Sequence, residues 1–453
     1  MLENLRKVHF IGIGGIGMSA LARILIDMGV EVSGSDLNEN ANTRGLRELG
    51  AYVYTPHSAD LMPDDIDMVV YSSAVPQDNE ELVKARRLGV PIKKRGELLA
   101  MITRERFSLL VAGSHGKTTT TSMMAKAAID AGLSPTVIVG GRIADLENSN
   151  AYMGSGNMVI AETDESDGTF LLLEPTISVV TNIDREHLNY YGTFDRLLDA
   201  FRKFLENTKR ERIVFRDNEH LEAVSRGLDC MTYSLEDPSA SAYIRDVRMG
   251  EFGSRFVVDS PWGSYELSIS MPGLHNVQNA TASFLALVAA GVSPDKVVEG
   301  LSGFKGVERR LTVRGSRKGV VVVDDYAHHP TEIKNTLKAI RIKWPHKKVV
   351  AVFQPHRYSR LKYLWEDFAS SFADADVVWI TDVYSAGERE NDFEMGGFVE
   401  KIAECSKRDV FYVPSWRDMV YPVMKILEGN DVVVTLGAGD IWKFCGLLLE
   451  SME

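Results

Sequence analysis

The sequence predicts an α/β protein built from three domains with mainly parallel sheets. Its length of 453 residues corresponds to about three domains. Apolar strands alternate with helical segments in three successive blocks, a pattern typical of parallel sheets. Glycine-rich loops join a strand to a helix in the first two blocks. We expect the domains to cover residues 1–104, 105–311 and 312–453.

The composition favours a large core and excludes several classes of partner. Hydrophobic residues make up 45% of the chain, and the formal net charge is −12, so we expect neither nucleic-acid nor membrane binding. The three widely spaced cysteines suggest a reducing compartment without disulfides or a cysteine-built zinc site. No leader peptide or apolar run of ~18 residues is visible. We expect a cytoplasmic protein, and the oligomeric state, monomer or homodimer, stays open.

The first block predicts a Rossmann-like domain that binds a diphosphate. In "HFIGIGGIGMSA", a strand leads into GxGxxG and then a helix, where backbone amides can approach an anion. Asp36 follows at about the distance of a ribose-binding acid. The loop alone does not separate a dinucleotide from another diphosphate. The candidate ligand-binding residues of this block are Gly12, Gly14, Gly15, Gly17, Ser35, Asp36, Ser72 and Ser73.

The second block predicts a P-loop ATPase-like sheet. "AGSHGKTTTT" lies between a strand and a helix, although Val111 stands where the strict motif has glycine. Lys117 should contact the β- and γ-phosphates, and the Thr118 hydroxyl should face Mg²⁺. Glu162 ends a neighbouring strand, where a carboxylate suits the same cation. The candidate ATP-binding residues are Gly113, Ser114, His115, Gly116, Lys117, Thr118 and Thr119. An antiparallel portion is expected over residues 212–271.

The third block predicts a second Rossmann-like domain with polar clusters at its strand ends. "DDYAHHPTEI" brings Asp325, Tyr326 and His328 to one strand end, and "QPHRYSR" brings His356 with two arginines to the next. Guanidinium groups suit carboxylate or phosphate recognition. Arg357 and Arg360 are three residues apart, so an alternative is that they share one face of a salt-bridged helix start. Adjacent His328 and His329 lack helical metal-ligand spacing.

Taken together, these stretches resemble the Mur ligases, the amide-forming enzymes of peptidoglycan precursor synthesis. The likeness covers nearly the whole chain, and the branch most resembled is the one that adds L-alanine to UDP-N-acetylmuramate. The matching stretches, in the order of the family, are "HFIGIGGIGMS", "VSGSD", "SSAV", "AGSHGKTTTT", "AETDESDGTFL", "TNIDREHLNYY", "GLHNVQNATA", "ERRL", "DDYAHHPTE", "QPHRYSR", "DVYSAGE" and "GAGD".

The resemblance implies a cytoplasmic, ATP-dependent ligase acting through an acyl phosphate. The first domain holds the UDP sugar, the second holds ATP, and the third binds the amino acid and closes over ATP. ATP and Mg²⁺, with two ions during turnover, are the implied cofactors, and UDP-N-acetylmuramate and L-alanine are the implied substrates. The glycines of the first loop then hold the pyrophosphate of the UDP sugar rather than NAD.

The resemblance also assigns residues beyond the P-loop. It makes Thr118, Glu162 and His187 magnesium ligands. The further residues on the ATP side are Asn276, Asn279, Arg310 and Asp325. The residues around L-alanine and the sugar carboxylate are Tyr326, His356, Arg357 and Arg360. The implied catalytic residues are Lys117, His187, His328, His356 and Arg357, and either His328 or His356 can deprotonate the amine of alanine.

One departure from the family supports the alanine-adding branch. Relatives that add later amino acids carry a carbamylated lysine downstream of the histidine that corresponds to His187. In this chain Phe201 occupies that position, and Lys203 lies two residues further on. The resemblance therefore implies no carbamate at the metal site. In a second departure, Glu186 and Asn189 replace the acids usual around that histidine, which leaves the shell of the second ion open.

Three alternatives remain at this point. The first, in the same class, is a ligase that attaches a recycled tripeptide to the same UDP sugar, although "QPHRYSR" favours alanine addition. A nicotinamide-dependent oxidoreductase would account for the first glycine loop but not for the P-loop. A P-loop regulatory module without ligase chemistry would leave the polar clusters of the third block unexplained. Selectivity for L-alanine over glycine or L-serine and the degree of domain closure are not determined by the sequence.

Overall fold

The structure is a computed structural model that describes residues 4–146, 148–388 and 393–452. Its described strands form three sheets of five, ten and six strands. Each sheet belongs to one of the three predicted blocks, and the predicted three-domain α/β class is confirmed. Among the described residues, no helix is both long enough and apolar enough to cross a membrane.

The first sheet is entirely parallel, in the order β3-β2-β1-β4-β5. Its order reverses beside β1, and such a switch point is where α/β sheets bind ligands beyond their carboxyl ends. Its strands are β1 (Lys7–Ile11), β2 (Glu31–Ser35), β3 (Tyr52–Tyr54), β4 (Met68–Tyr71) and β5 (Ile92–Lys94). Its helices are α1 (Ile16–Asp27), α2 (Ala41–Glu48), α3 (Glu80–Leu88) and α4 (Arg95–Thr103).

The second sheet is mixed, in the order β15-β14-β13-β12-β11-β10-β6-β9-β7-β8. Its strands are β6 (Phe107–Ala112), β7 (Thr136–Ile143), β8 (Ser149–Tyr152), β9 (Met158–Glu162), β10 (Ile177–Val180), β11 (Glu211–Phe215), β12 (Met231–Ser234), β13 (Ala242–Gly250), β14 (Gly253–Ser260) and β15 (Gly263–Ile269). Its helices are α5 (Lys117–Asp130), α6 (Leu188–Tyr191), α7 (Phe194–Glu206), α8 (Glu219–Ser225), α9 (Leu274–Ala289) and α10 (Pro294–Ser302).

The position of the antiparallel strand pairs in this sheet differs from the prediction. The strands β10, β11, β12 and β13 pair in parallel, so the prediction of antiparallel strands was wrong for the first part of residues 212–271. The helix α8 lies between β11 and β12 and provides the crossover that parallel neighbours require. At the opposite edge of the sheet, β7 and β8 pair antiparallel.

The third sheet has the order β16-β17-β21-β18-β19-β20, and only the β16–β17 pair is antiparallel. Its strands are β16 (Thr312–Arg317), β17 (Val320–Asp325), β18 (Lys348–Phe353), β19 (Val377–Ile380), β20 (Asp409–Tyr412) and β21 (Asp431–Leu436). Its helices are α11 (Pro330–Lys343), α12 (Tyr358–Tyr363), α13 (Trp365–Ala369), α14 (Met395–Ser406), α15 (Trp416–Lys425) and α16 (Lys443–Ser451).

Side-chain alternation gives this third sheet two separate cores. Val323 and Phe353 belong to one buried cluster, whereas their strand neighbours Val322 and Val352 belong to the other. Both faces of a parallel sheet are covered by helices, so its strands are apolar at nearly every position. The runs "VVVVDD" and "DVVVTL" follow this rule. The first run ends in two aspartates, of which Asp325 is a candidate site residue.

The described chain divides into two compact units by its internal contacts. The first contains residues 1–246, 256–267 and 278–305, and the second contains residues 247–255, 268–277 and 306–453. The five-stranded sheet and the P-loop therefore lie in the first unit, and the six-stranded sheet lies in the second. The residue boundaries of the three domains stay a prediction.

Candidate functional site

The first glycine loop is folded tightly against the carboxyl end of β2. The amides of Gly12 and Ile13 donate to the Ser35 carbonyl at 2.8 and 2.9 Å. Gly12 has a φ of +81°, a conformation that glycine adopts without steric cost. Gly15 is the N-terminal cap of α1 and provides no side-chain hydrogen bond there. The first amides of the helix are therefore suited to bind an anion.

Asp36 contacts the loop itself. Its Oδ2 accepts a hydrogen bond from the Gly14 amide at 2.8 Å, so at least one carboxylate oxygen supports the loop. A Cβ atom at Gly14 would lie 2.8 Å from that oxygen. Ser72 lies beside Gly12, because a Cβ at Gly12 would be 3.1 Å from the Ser72 Cβ, and Ser73 is exposed at the same strand end.

Arg95 joins this loop to the P-loop region and was not among the sequence-predicted residues. A Cβ atom at Gly17 would lie 3.1 Å from the Arg95 Cδ, so the third glycine of the motif makes room for this side chain. The Arg95 guanidinium also pairs with Asp164 at 2.7 Å. Burial raises the pKa of Asp164, but the Arg95 charge and the hydrogen bonds from Ser166 outweigh burial and lower the pKa to about 2.

The P-loop turns at two glycines whose positive φ other residues rarely adopt. Gly113 and Gly116 have φ values of +131° and +84°, and Gly116 caps the N-terminus of α5. Asn182 fixes the loop from β10, because its Oδ1 accepts from the His115 amide at 2.9 Å. The Ser114 hydroxyl accepts from the Asp184 amide at 2.8 Å. The loop is thus held rigidly, as phosphate binding by backbone amides requires.

Lys117 is paired with a buried carboxylate. Its Nζ donates to Glu165 Oε1 at 2.7 Å and also to the Gly113 carbonyl. Glu165 is 1% exposed. Burial lowers the pKa of Lys117, but the charge and hydrogen bond of Glu165 outweigh burial, and the net shift is upward. The lysine therefore carries its positive charge beside the loop.

Glu162 ends β9 beside Thr118, as the sequence predicted. Burial raises the pKa of its carboxyl, and the Thr118 hydroxyl and Lys117 partly offset this effect. Its Oε2 is buried without a hydrogen-bond partner in the described part of the chain. A Cβ at Gly140 would overlap Glu162, so this glycine allows β7 to approach the carboxylate.

His187 belongs to a three-residue cluster. Its Nε2 lies 3.4 Å from Glu165 Oε1 and 3.5 Å from Glu186 Oε2. One ligand atom from each residue falls within 4.8 Å of the others, and Glu165 Oε2 is buried without a hydrogen-bond partner among the residues described. Oxygen ligands with one imidazole suit a divalent cation.

The residues expected on the adenine side lie at the start of α9. Asn279 faces the P-loop, since its Oδ1 is 2.5 Å from a Cβ built at Gly116. Asn276 is 3% exposed, and its amide donates to the Pro272 carbonyl at 2.8 Å. Thr119 is also buried, at 5% exposed.

In the second compact unit, Asp325 caps the turn that follows β17. Its two oxygens accept from the amides of Leu311 and Ala327 at 2.7 and 2.8 Å. Burial raises the pKa of Asp325 to about 6, and the nearby Arg310 charge lowers it only in part. Arg310 pairs with Glu332 at 3.3 Å.

Tyr326, His328 and His356 form one aromatic group. The His328 ring lies 5.2 Å from the Tyr326 ring and 5.4 Å from the His356 ring. His356 also stacks on Tyr384 at 5.7 Å and 8°. Tyr326 lies under the guanidinium of Arg310 at 5.5 Å. Of the predicted alanine-side residues, Tyr326 and His356 are thus brought together around His328, and Tyr384 is an addition.

Arg357 and Arg360 do not share a helix face. Arg357 precedes α12 as its N-terminal cap, with a φ of +68°, and its Nε is buried without a hydrogen-bond partner in the described residues. Arg360 lies inside the helix, with Nη1 3.0 Å from His356 Nδ1. Such backbone strain at a partly buried arginine is typical of functional positions.

The loop between β6 and α5, with a lysine and carboxylates around it, places the chain among the P-loop α/β proteins. Three family models match successive parts of the chain: "Mur ligase family, catalytic domain" over residues 7–107, "Mur ligase middle domain" over residues 111–287, and "Mur ligase, glutamate ligase domain" over residues 309–439. The chain belongs to the Mur ligase family.

Curated relatives and solved structures match over the full length. The UDP-N-acetylmuramate–L-alanine ligase of Trichlorobacter lovleyi is 42% identical over 100% of both chains. That of Aquifex aeolicus is 41% identical over 100% of this chain and 99% of its own. The crystal structure of UDP-N-acetylmuramate-alanine ligase from Thermotoga maritima has a TM-score of 0.84 at 32% identity and covers 98% of both chains.

A murein peptide ligase from Psychrobacter arcticus has the same fold. Its TM-score is 0.75 at 22% identity, over 99% of this chain and 98% of its own. At that identity the likeness shows the fold alone.

Sequence reasoning missed the acidic partners of the predicted site residues. Glu165 and Glu332 are such partners, and each is one acid among several in a polar loop or helix start. The pairing of Glu165 with Lys117 joins residues 48 positions apart, a distance that local patterns do not reveal. For Glu165, the acid-rich string "AETDESD" was the only available signal in the sequence.

Proposed function

We propose that this chain joins L-alanine to UDP-N-acetylmuramate, with ATP as the energy source. The observation that carries the proposal is the full-length identity of about 40% to ligases of that name. The lysine-bearing P-loop and the separate cluster of aromatic residues and arginines support it. The reaction needs one site for a nucleotide and another for a small zwitterion. A cytoplasmic location and the oligomeric state stay predictions.

We assign ATP to the P-loop of the first compact unit. The amides of the loop and the Lys117 ammonium suit the β- and γ-phosphates. Asn279 suits a polar edge of the nucleotide at the start of α9. Glu165 holds Lys117 in place, so the charge is oriented before the nucleotide arrives.

Divalent cations fit the acidic groups beside the P-loop. Thr118 and Glu162 would hold one ion, and the unpartnered Glu162 Oε2 supplies a ligand atom. His187, with Glu165 and Glu186, would hold a second. Mg²⁺ at these positions would neutralise phosphate charge. Phe201 is fully buried against Phe170, so the proposed second site has no carbamylated lysine from that position.

The proposed chemistry has two displacements. The lactyl carboxylate oxygen bonds to the γ-phosphorus, the bond between the γ-phosphorus and the bridging oxygen breaks, and ADP leaves. The amine of L-alanine then bonds to the acyl carbon, the carbon–oxygen bond to phosphate breaks, and phosphate leaves. Lys117 stabilises charge in the first step, and the partly buried Arg357 guanidinium suits a carboxylate.

For the amine proton, the hydrogen bonds favour His328 over His356. The carbonyl of Tyr326 only accepts, so His328 Nδ1 at 2.9 Å carries a proton, and Nε2 is the basic nitrogen of the neutral ring. Arg360 only donates, so His356 Nδ1 at 3.0 Å is an acceptor already engaged. We propose His328 as the base and His356 as a residue that orients Arg360.

Phosphate release from ATP, measured with each substrate omitted in turn, tests the proposal. Release should require both UDP-N-acetylmuramate and L-alanine. Release with the sugar and the tripeptide L-alanyl-γ-D-glutamyl-meso-diaminopimelate, but not with L-alanine, would instead identify the recycling ligase. Nicotinamide reduction would support the oxidoreductase, and binding of ATP without any substrate-dependent release would support a regulatory module.

A further inference from the structure

A fully buried glutamate lies beneath the first glycine loop and takes no part in the chemistry proposed above. Glu81, in the first turn of α3, is 0% exposed. Its Oε1 accepts from the Tyr54 hydroxyl at 2.5 Å and from the Ser58 amide at 3.2 Å. Its Oε2 accepts from the Ser35 hydroxyl at 2.5 Å. Burying a carboxylate costs several kcal/mol unless such bonds compensate it. If this position served only packing, an apolar residue would fill it at lower cost.

The carboxylate is ionised in this setting. Burial raises the pKa of Glu81, but hydrogen bonds from His57, His9, Ser35 and Tyr54 outweigh burial and hold the pKa well below its ordinary value. An ionised carboxylate only accepts hydrogen bonds. The single hydroxyl proton of Ser35 is therefore committed to Glu81.

This commitment determines the tautomer of His57. The His57 Nδ1 lies 2.7 Å from the Ser35 hydroxyl and 3.3 Å from Glu81 Oε2. Both oxygens act as acceptors toward His57, so Nδ1 must carry a proton. In the neutral imidazole, Nε2 is then a hydrogen-bond acceptor.

The network is part of the predicted UDP-sugar site. The same Ser35 whose hydroxyl binds Glu81 accepts the amides of Gly12 and Ile13 through its carbonyl. The His57 side chain is 14% exposed, whereas those of Glu81 and His9 are 0% exposed. His57 is thus the member of the group that a ligand at the carboxyl ends of β1, β2 and β3 can contact.

We infer that Glu81 and Ser35 hold His57 as a fixed hydrogen-bond acceptor for the N3–H of uracil, so that the site selects uridine over cytidine nucleotides. This inference rests on the proposed function, because it names the base of its UDP substrate. Uracil carries a hydrogen on N3, whereas the N3 of cytosine is itself an acceptor and would face the Nε2 lone pair. Leaving polar groups unpaired in a buried site penalises the wrong ligand.

Calorimetric titration of the full chain with UDP and with CDP tests the inference. The wild-type chain should bind UDP at least about tenfold more tightly than CDP, as one well-placed hydrogen bond allows. In His57→Ala the affinity for UDP should fall about tenfold while that for CDP changes little. His346→Ala, which removes an exposed histidine, is the matched control and should retain the preference.

Two further variants separate positioning from folding. Glu81→Gln can donate to Ser35, so the hydroxyl can turn its proton toward His57, and the preference for UDP should shrink or reverse. Tyr54→Phe removes one bond to Glu81 Oε1 and leaves the Ser35 side intact, so a smaller loss of preference is expected. Thermal unfolding of each variant shows which are folded, and Tyr54→Phe replaces Glu81→Gln if the latter does not fold.

The two proposals fail in different ways. A wild-type chain that binds UDP over CDP but catalyses no ligation contradicts the proposed function and not the assignment of His57. A ligase whose His57→Ala variant keeps both the UDP preference and the KM for the UDP sugar overturns the inference and leaves the proposed function standing. A loss of kcat without a change in KM or in UDP affinity also overturns it.

Discussion

Lys117 is placed where charge is needed before any ligand is present. Its ammonium is held by Glu165 and by the Gly113 carbonyl, so little side-chain entropy remains to be lost when phosphate binds. The sequence motif predicted the lysine, and the fold supplied its anionic partner. Such a pre-oriented charge contributes more to a transition state than a mobile one.

We expect Lys117→Ala to lower the rate of ATP-driven ligation by at least about 100-fold, since one lost charge contact in such a site typically has that effect. Phosphate release under saturating substrates measures it. Lys126→Ala, on the same helix and away from the loop, should stay near the wild-type rate. Retention of more than a tenth of the activity by a folded Lys117→Ala variant would exclude the assigned role.

Asp325 gives the stability of the protein a defined pH dependence. Its pKa is about 6 in the fold against an ordinary 3.8. The contribution of the Asp325 carboxyl to the free energy of unfolding is therefore fully present below about pH 4. It is lost as the pH rises through 6, because burial disfavours the ionised form. The protonated form is the one that the fold tolerates better.

We expect the free energy of unfolding of Asp325→Asn, relative to wild type, to rise between pH 4 and pH 7 by as much as about 3 kcal/mol, from a shift of about two pKa units. Urea unfolding at the two pH values measures this difference. Asn157→Ala, at an exposed position without an ionisable side chain, serves as control and should show a difference that does not depend on pH. A constant difference for Asp325→Asn would contradict the environment described for this carboxyl.

At the scale of elements, the glycines before and after α5 should differ in how well they tolerate a side chain. Gly113 and Gly132 both have a positive φ, at +131° and +88°. A Cβ at Gly113 would lie 2.2 Å from the Thr181 hydroxyl and 3.0 Å from backbone atoms of Thr181 and Asn182. A Cβ at Gly132, which follows α5, meets nothing within 4 Å.

Gly113→Ala should therefore lose ATP affinity by at least about tenfold and lower the melting temperature by several degrees, because both strain and a clash with Thr181, just after β10, are introduced. Gly132→Ala carries only the cost of the left-handed conformation, about 1 kcal/mol. Calorimetric titration with ATP and thermal unfolding compare the two. Equal effects of both substitutions would mean that conformation, not the close approach to β10, governs this loop.

At the scale of the whole molecule, one buried amide joins the five-stranded sheet to the ten-stranded sheet within the first compact unit. The Asn150 side chain in β8 is 3% exposed and donates to the Ile16 carbonyl at 2.7 Å and the Ser19 hydroxyl at 3.0 Å. Ile16 begins α1, the helix that follows the first glycine loop. Two hydrogen bonds from β8 therefore hold the start of the helix that follows the predicted UDP-binding loop.

Asn150→Ala should increase amide hydrogen exchange in α1 and weaken UDP binding by a few-fold, because the Ile16 carbonyl and the Ser19 hydroxyl lose this donor. Hydrogen exchange followed by mass spectrometry, with UDP titration alongside, measures both effects. Asn157→Ala, at an exposed position before β9, is the control. Unchanged protection of α1 would show that apolar packing alone joins the two sheets.

The amino-acid sequence by itself determined the three α/β blocks, the two glycine loops and the residue types at the strand ends. These follow from local periodicity and from short motifs, because hydrophobic alternation and turn chemistry act over a few residues. Lys117, Thr118 and Glu162 were predicted in this way. The aromatic group around His328 and His356 was predicted only as two neighbouring strand ends.

Only the tertiary structure decided which charged groups face one another. The pairs Lys117–Glu165 and Arg95–Asp164 join distant positions, and the network of Glu81 links three strands and a helix. The structure also removed Arg357 from the helix face that its spacing from Arg360 suggested. Such contacts depend on how strands order in a sheet and where the chain crosses over, and no local pattern carries that information.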